Sequence, residues 1–107
     1  NNARRELMCI ADFYLYPKHD AAAVRQKLVE VALTSPYLQL SRPVIVIVAE
    51  KPWYTQYRLK AYPVEGRDQL LFTSDLTIRG KAALGKMGVE PATGVFPPPG
   101  TEEESNS

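Results

Sequence analysis

The chain has 107 residues, 13 of them basic and 12 acidic, with a net charge of +1 and one cysteine. That length supports a single modest core, and the balanced charge is no electrostatic footprint for nucleic acid, which needs a clustered basic face. Cys9 alone excludes an internal disulfide and fits a reducing compartment.

No apolar run approaches the roughly 20 residues that cross a bilayer. The polar opening Asn1 to Glu6 is not followed by the apolar stretch of a signal peptide. With no initiator methionine, the chain reads as a piece cut from something longer. Residues 1–4 are then linker, 5–90 the folding unit, and 91–107 a tail rich in proline and glutamate, expected to be extended or disordered.

From Leu7 to Leu15, odd positions carry Leu7, Cys9, Ala11, Phe13 and Leu15, while even ones carry Met8, Ile10, Asp12 and Tyr14. Period two predicts a strand with one fully apolar face, and Pro17 ends it. Asp20 is the N-cap of a helix to about Thr34, with Ala21, Val24, Leu28, Val31 and Ala32 on one face. Ser35-Pro36 stops that helix. Val44 to Glu50 is aliphatic on both faces, so it is expected as the central strand, covered on each side. Lys51-Pro52 breaks the run into a hairpin. A third strand, Trp53 to Val64, alternates again: Trp53, Thr55, Tyr57, Leu59 and Ala61 against Tyr54, Gln56, Arg58, Lys60 and Tyr62.

After the turn Glu65-Gly66-Arg67, a second helix is expected from about Asp68 to Met87, with Phe72, Leu76, Ala83, Leu84 and Met87 on one stripe. Gly80 lies in that stripe at a cost of about 1 kcal/mol against alanine. Close approach of helix to sheet would compensate. Gly88 suits the C′ position that closes a helix. The order β-α-β-β-α predicts an α+β fold, a ferredoxin-like sandwich with both helices on one face of a small mixed sheet and no final strand.

The chemistry on offer is sparse. His19 has no second ligand at metal spacing and reads as a surface loop histidine. Cys9 points inward by strand phase, which reads as a small buried hydrophobe as readily as a reactive thiol. No glycine-rich loop feeds a helix N-terminus, so phosphate cradling is not supported. Asp12 and Glu50 do not form a recognisable acid–base pair. Catalysis, cofactors and metals are therefore not expected. The sheet face left without helices carries Tyr14, Tyr16, Tyr54, Gln56, Arg58, Lys60 and Tyr62, with Met8 and Ile10 beside them. An aromatic-rich uncovered face calls for a partner.

Four stretches in series, "LYPKHDAAAVRQKLVEVALTSPYL", "RPVIVIVAEK", "YTQYRLKAYPV" and "LTIRGKAALGKMGVE", resemble the C-terminal cytoplasmic α/β domain of small-conductance mechanosensitive channels, the MscS family. The matched features are the strand Phe13 to Tyr16, Asp20 opening a helix with Val24 and Leu28, and the step Pro36-Tyr37-Leu38. They continue with the proline-led strand Pro43 to Val48, the alternation Tyr57-Arg58-Leu59-Lys60-Ala61, and Gly88-Val89. The resemblance covers about residues 7–90.

It implies a vestibule ring, typically of seven subunits, below the inner membrane on its cytoplasmic side. The parent would release ions and small solutes under hypo-osmotic shock. Tyr14, Tyr16, Tyr54, Gln56, Arg58, Lys60 and Tyr62 would then face a neighbouring subunit or the lumen. One departure stands out. The family continues into an aliphatic strand that closes the vestibule as a small barrel, whereas Pro97-Pro98-Pro99 cannot donate ladder hydrogen bonds. A second reading is a freestanding ferredoxin-like regulatory module that binds a small ligand or RNA through the same face. Against RNA, the glycine-and-aromatic motif of RNA-recognition sheets is missing.

Overall fold

The computed structural model describes residues 7–92. The linker reading of residues 1–4 and the tail from residue 93 onward fall outside the described residues. Three strands and two helices form in the order β1 (Cys9–Leu15), α1 (Ala21–Leu33), β2 (Ile45–Glu50), β3 (Thr55–Ala61) and α2 (Gln69–Lys86). A short 3-10 turn, Gly66–Asp68, leads into α2.

The strands lie in the order β1-β3-β2. Cys9 pairs with Ala61 and Leu15 with Thr55, while Ile45 pairs with Lys60 and Glu50 with Thr55. Every neighbour pair is antiparallel, so the sheet is not the mixed one expected. β1 and β2 do run parallel, but β3 inserts between them and they never share hydrogen bonds.

The central strand is β3, and β2 is an edge. This overturns the expectation for Val44 to Glu50. Within β2 only Val46 is buried. The error has a physical cause: an aliphatic run on both faces fits a strand covered twice, and it equally fits an edge strand whose outward residues are apolar. Sequence alone does not separate the two.

One core lies between the helices and the odd-numbered face of β1 and β3. Cys9, Ala11, Phe13 and Leu15 from β1 meet Tyr57, Leu59 and Ala61 from β3, Val24 and Leu28 from α1, and Phe72, Leu76 and Leu84 from α2. Each fully buried leucine among them contributes about 1.5–3 kcal/mol relative to exposure. The helices pack on one another, α2 also against β1 and α1 against β2 and β3.

Local signals explain the element ends. Asp20 Oδ1 accepts from the Ala22 and Ala23 amides at 3.0 and 3.3 Å, capping α1 as expected. Gly88 at φ +79° closes α2. The Val89 amide donates to the Leu84 carbonyl at 3.0 Å and the Gly88 amide to that of Gly85 at 3.0 Å, the paired bonds of a Schellman end. Gly80 does allow close approach: a Cβ there would sit 2.5 Å from Phe13 Cζ. Met87, placed on the buried stripe by periodicity, is instead exposed just past the end of α2. Beyond Val89 the chain returns to the outer edge of β1, where Leu15 and Pro91 form an isolated antiparallel bridge. Pairing thus reaches two residues into the stretch assigned to the tail.

Candidate functional site: the uncovered sheet face

Alternation in β1 and β3 sends their even positions to the side opposite the helices, and opposite parity in β2 sends Ile45, Ile47 and Ala49 there too. The register then builds three rows across the sheet. Ile10, Lys60 and Ile45 form one; Asp12, Arg58 and Ile47 form the next; Tyr14, Gln56 and Ala49 form the third. Ile10, Ile45 and Ile47 are 37, 42 and 45% exposed, so the face is aliphatic at its margins.

In the middle row the Arg58 guanidinium donates to both Asp12 carboxylate oxygens, Nε to Oδ1 at 2.9 Å and Nη2 to Oδ2 at 3.3 Å. That hydrogen bond, then the charge of Asp12, raises the Arg58 pKa further above its ordinary value. A cross-strand pair this open to solvent adds little to stability, because water and salt screen it. Its larger effect is chemical: Asp12 is engaged as an ion-pair partner, and Arg58 presents less charge to an outside anion.

The aromatic residues hold fixed poses. Tyr14 and Tyr54 meet edge-to-face with ring centroids 5.4 Å apart. The Arg42 guanidinium lies 4.5 Å over the Tyr62 ring. Gln56, Arg58 and Lys60 stand between these two aromatic groups on β3, and Tyr16 is exposed just past the end of β1. Tyr14, Tyr54, Gln56, Arg58, Lys60 and Tyr62 thus belong to one surface, as their parity predicted. Ile45 and Ile47 were missed because β2 was read as covered on both faces. Arg42 lies outside any strand, and no periodic signal points to it.

Other chemistry-bearing groups have structural partners. His19 is half-buried rather than a free surface residue: its Nδ1 lies 2.8 Å from the Tyr16 carbonyl and its Nε2 2.7 Å from the Tyr57 hydroxyl. The carbonyl can only accept, so Nδ1 carries the proton and the Tyr57 hydroxyl donates to Nε2. Burial, and then the charges of Glu50 and Asp20, push the Tyr57 phenol up. Burial likewise pushes up the Cys9 thiol, which donates weakly to the Gln69 carbonyl at 3.6 Å. That is the environment of an inert, buried cysteine.

Among the described residues no three His, Cys, Asp or Glu side chains cluster as metal ligands, and no helix is long and apolar enough to cross a membrane. A cleft between α1 and α2 is lined by Lys27, Arg79 and Lys86. Lys27 is paired with Glu30 and Arg79 with Asp75, each at 3.1 Å. No family model matches the sequence, and no curated protein matches it either.

Proposed function

We propose that this chain is a non-catalytic assembly domain, the cytoplasmic vestibule part of an MscS-like mechanosensitive channel. The parent would lie in the inner membrane, with this domain on its cytoplasmic side, and would release ions and small solutes under hypo-osmotic shock. Strand order β1-β3-β2 with two helices on one face is, on this reading, a ferredoxin-like arrangement.

The observation that carries the proposal is the uncovered face. Three isoleucines and a fixed aromatic pair stand exposed or half-exposed on it, while the opposite face of β1 and β3 is buried. Burying that surface against a neighbouring copy removes apolar area from water at about 25 cal/mol per Å². Within a ring, Tyr14, Tyr16, Tyr54, Gln56, Arg58, Lys60 and Tyr62 contact the next subunit or line the lumen. RNA binding through the same face is less favoured, because the Asp12 carboxylate engages Arg58.

The test is a Tyr54→Asp/Tyr62→Asp double variant of the full channel. Oligomer size in detergent is expected to fall; an unchanged size removes this face from assembly. Hydrophobic spans encoded just upstream of residue 1 would favour the channel, and salt-sensitive micromolar affinity for single-stranded RNA would favour the binding module.

A further inference from the structure

One edge of the sheet belongs to β2. The Lys51 amide donates to the Tyr54 carbonyl at 2.8 Å, one step beyond the Glu50–Thr55 pair. Hydrogen-bonded and open pairs alternate along an antiparallel ladder, so Ile45, Ile47 and Ala49 turn their amides and carbonyls to β3. Val44, Val46 and Val48 turn theirs outward. Among the described residues, nothing bonds to these outward groups. The register with β3 runs unbroken from Ile45 to Glu50, and neither a charge nor a proline interrupts residues 44–48. Charges, prolines and bulges keep natural sheet edges apart, and this stretch has none of them. The side chains of Ile45, Ile47 and Val48 are exposed as well.

We propose that the β2 edge is a self-pairing site whose occupant is the β2 edge of a second copy, the two strands antiparallel about a two-fold axis. The sequence of the edge carries the argument. Residues 44–48 read Val-Ile-Val-Ile-Val, the same in both directions. An antiparallel pair centred on Val46 therefore sets valine against valine and isoleucine against isoleucine. Val46 meets its own counterpart and Val44 meets Val48, all positions with outward backbone groups, so each pair closes a double hydrogen bond. Ile45 meets Ile47 on the uncovered face.

Glu50 of each strand falls opposite Arg42 of the other, so opposite charges flank the aliphatic block. A net charge of +1 leaves little repulsion between copies. Shifting the register by two residues loses the match: one way sets Val44 against Glu50 and Ile45 against Ala49, the other Ile47 against Pro43. A two-fold contact uses the same patch on both copies and closes at two. It engages the strand edge, whereas the channel reading engages the uncovered face, so neither depends on the other.

Sedimentation of the full 107-residue chain across concentration tests this. A monomer–dimer equilibrium is expected. Val48→Pro removes an outward N–H and leaves the bonds to β3 in place, so it should weaken the dimer by roughly tenfold or more. Tyr54→Asp/Tyr62→Asp should leave the dimer unchanged. A chain that stays monomeric at about 1 mM overturns the proposal. So does a dimer that survives Val48→Pro and is lost in the tyrosine variant, because the contact is then the uncovered face. If Val48→Pro does not fold, NMR on mixed labelled and unlabelled native chains decides instead. Opposed Ile45 and Ile47 α-carbons lie about 4.5 Å apart in a pair of this kind, so an intermolecular Hα–Hα cross-peak between them is expected. A dimer without that cross-peak overturns the site.

Discussion

The buried hydroxyl of Tyr57 sets the demand that His19 meets. A fully buried phenol without an acceptor costs about 1–3 kcal/mol, and the loop after β1 brings an imidazole within 2.7 Å. His19→Ala should therefore destabilise the domain by about 1–2 kcal/mol. Tyr57→Phe in that background should recover part of the loss, because it removes the orphaned group. A double-mutant cycle on urea midpoints measures this. Strict additivity would mean that the bond contributes nothing beyond its parts. The sequence offered His19 as a lone loop residue and Tyr57 as a core position 38 residues away. Their contact depends on where the loop folds back, which no local pattern encodes.

At the scale of elements, α2 is the clearest case of a local cost repaid by packing. Alanine at position 80 would improve helix propensity by about 1 kcal/mol. Its Cβ, however, would lie 2.5 Å from Cζ and 2.8 Å from Cε2 of Phe13, a ring that is itself buried. Overpacking of this sort costs about 1–3 kcal/mol. Gly80→Ala should thus be net destabilising, and Phe13→Leu should relieve it in the double variant. Thermal midpoints of the four chains decide the point, and a stabilising Gly80→Ala would show that the ring moves aside at little cost. The glycine was legible in sequence as an anomaly on an apolar stripe. β2 was not legible in the same way, because its unbroken aliphatics lack a polar phase to say which side meets water.

For the whole molecule, two buried acids tie stability to alkaline pH. Burial raises the Cys9 thiol and the Tyr57 phenol above their ordinary values. The unfolded chain therefore loses these protons first as pH rises, and the folded state is disfavoured. The contribution is fully present below about pH 8.5 for the thiol and about pH 10 for the phenol, and it is lost above those values. Urea midpoints are expected to fall between pH 8 and pH 10.5, and Cys9→Ala should remove the earlier part of the fall. A midpoint flat across that range would contradict the assigned cause.

Sequence by itself determined the two helices, their caps at Asp20 and Gly88, and the strand phase that gathers Tyr14, Tyr54, Gln56, Arg58, Lys60 and Tyr62 on one surface. Those features follow from periodicity and backbone chemistry over a few neighbouring residues. Only the tertiary structure decided that β3 lies between β1 and β2, that Asp12 meets Arg58, that Ile45 and Ile47 join the open face, and that residues 90–92 return to β1. Each of these depends on which strand edges meet. Edge backbone groups are chemically alike in every strand, so the choice is made by how the whole core closes.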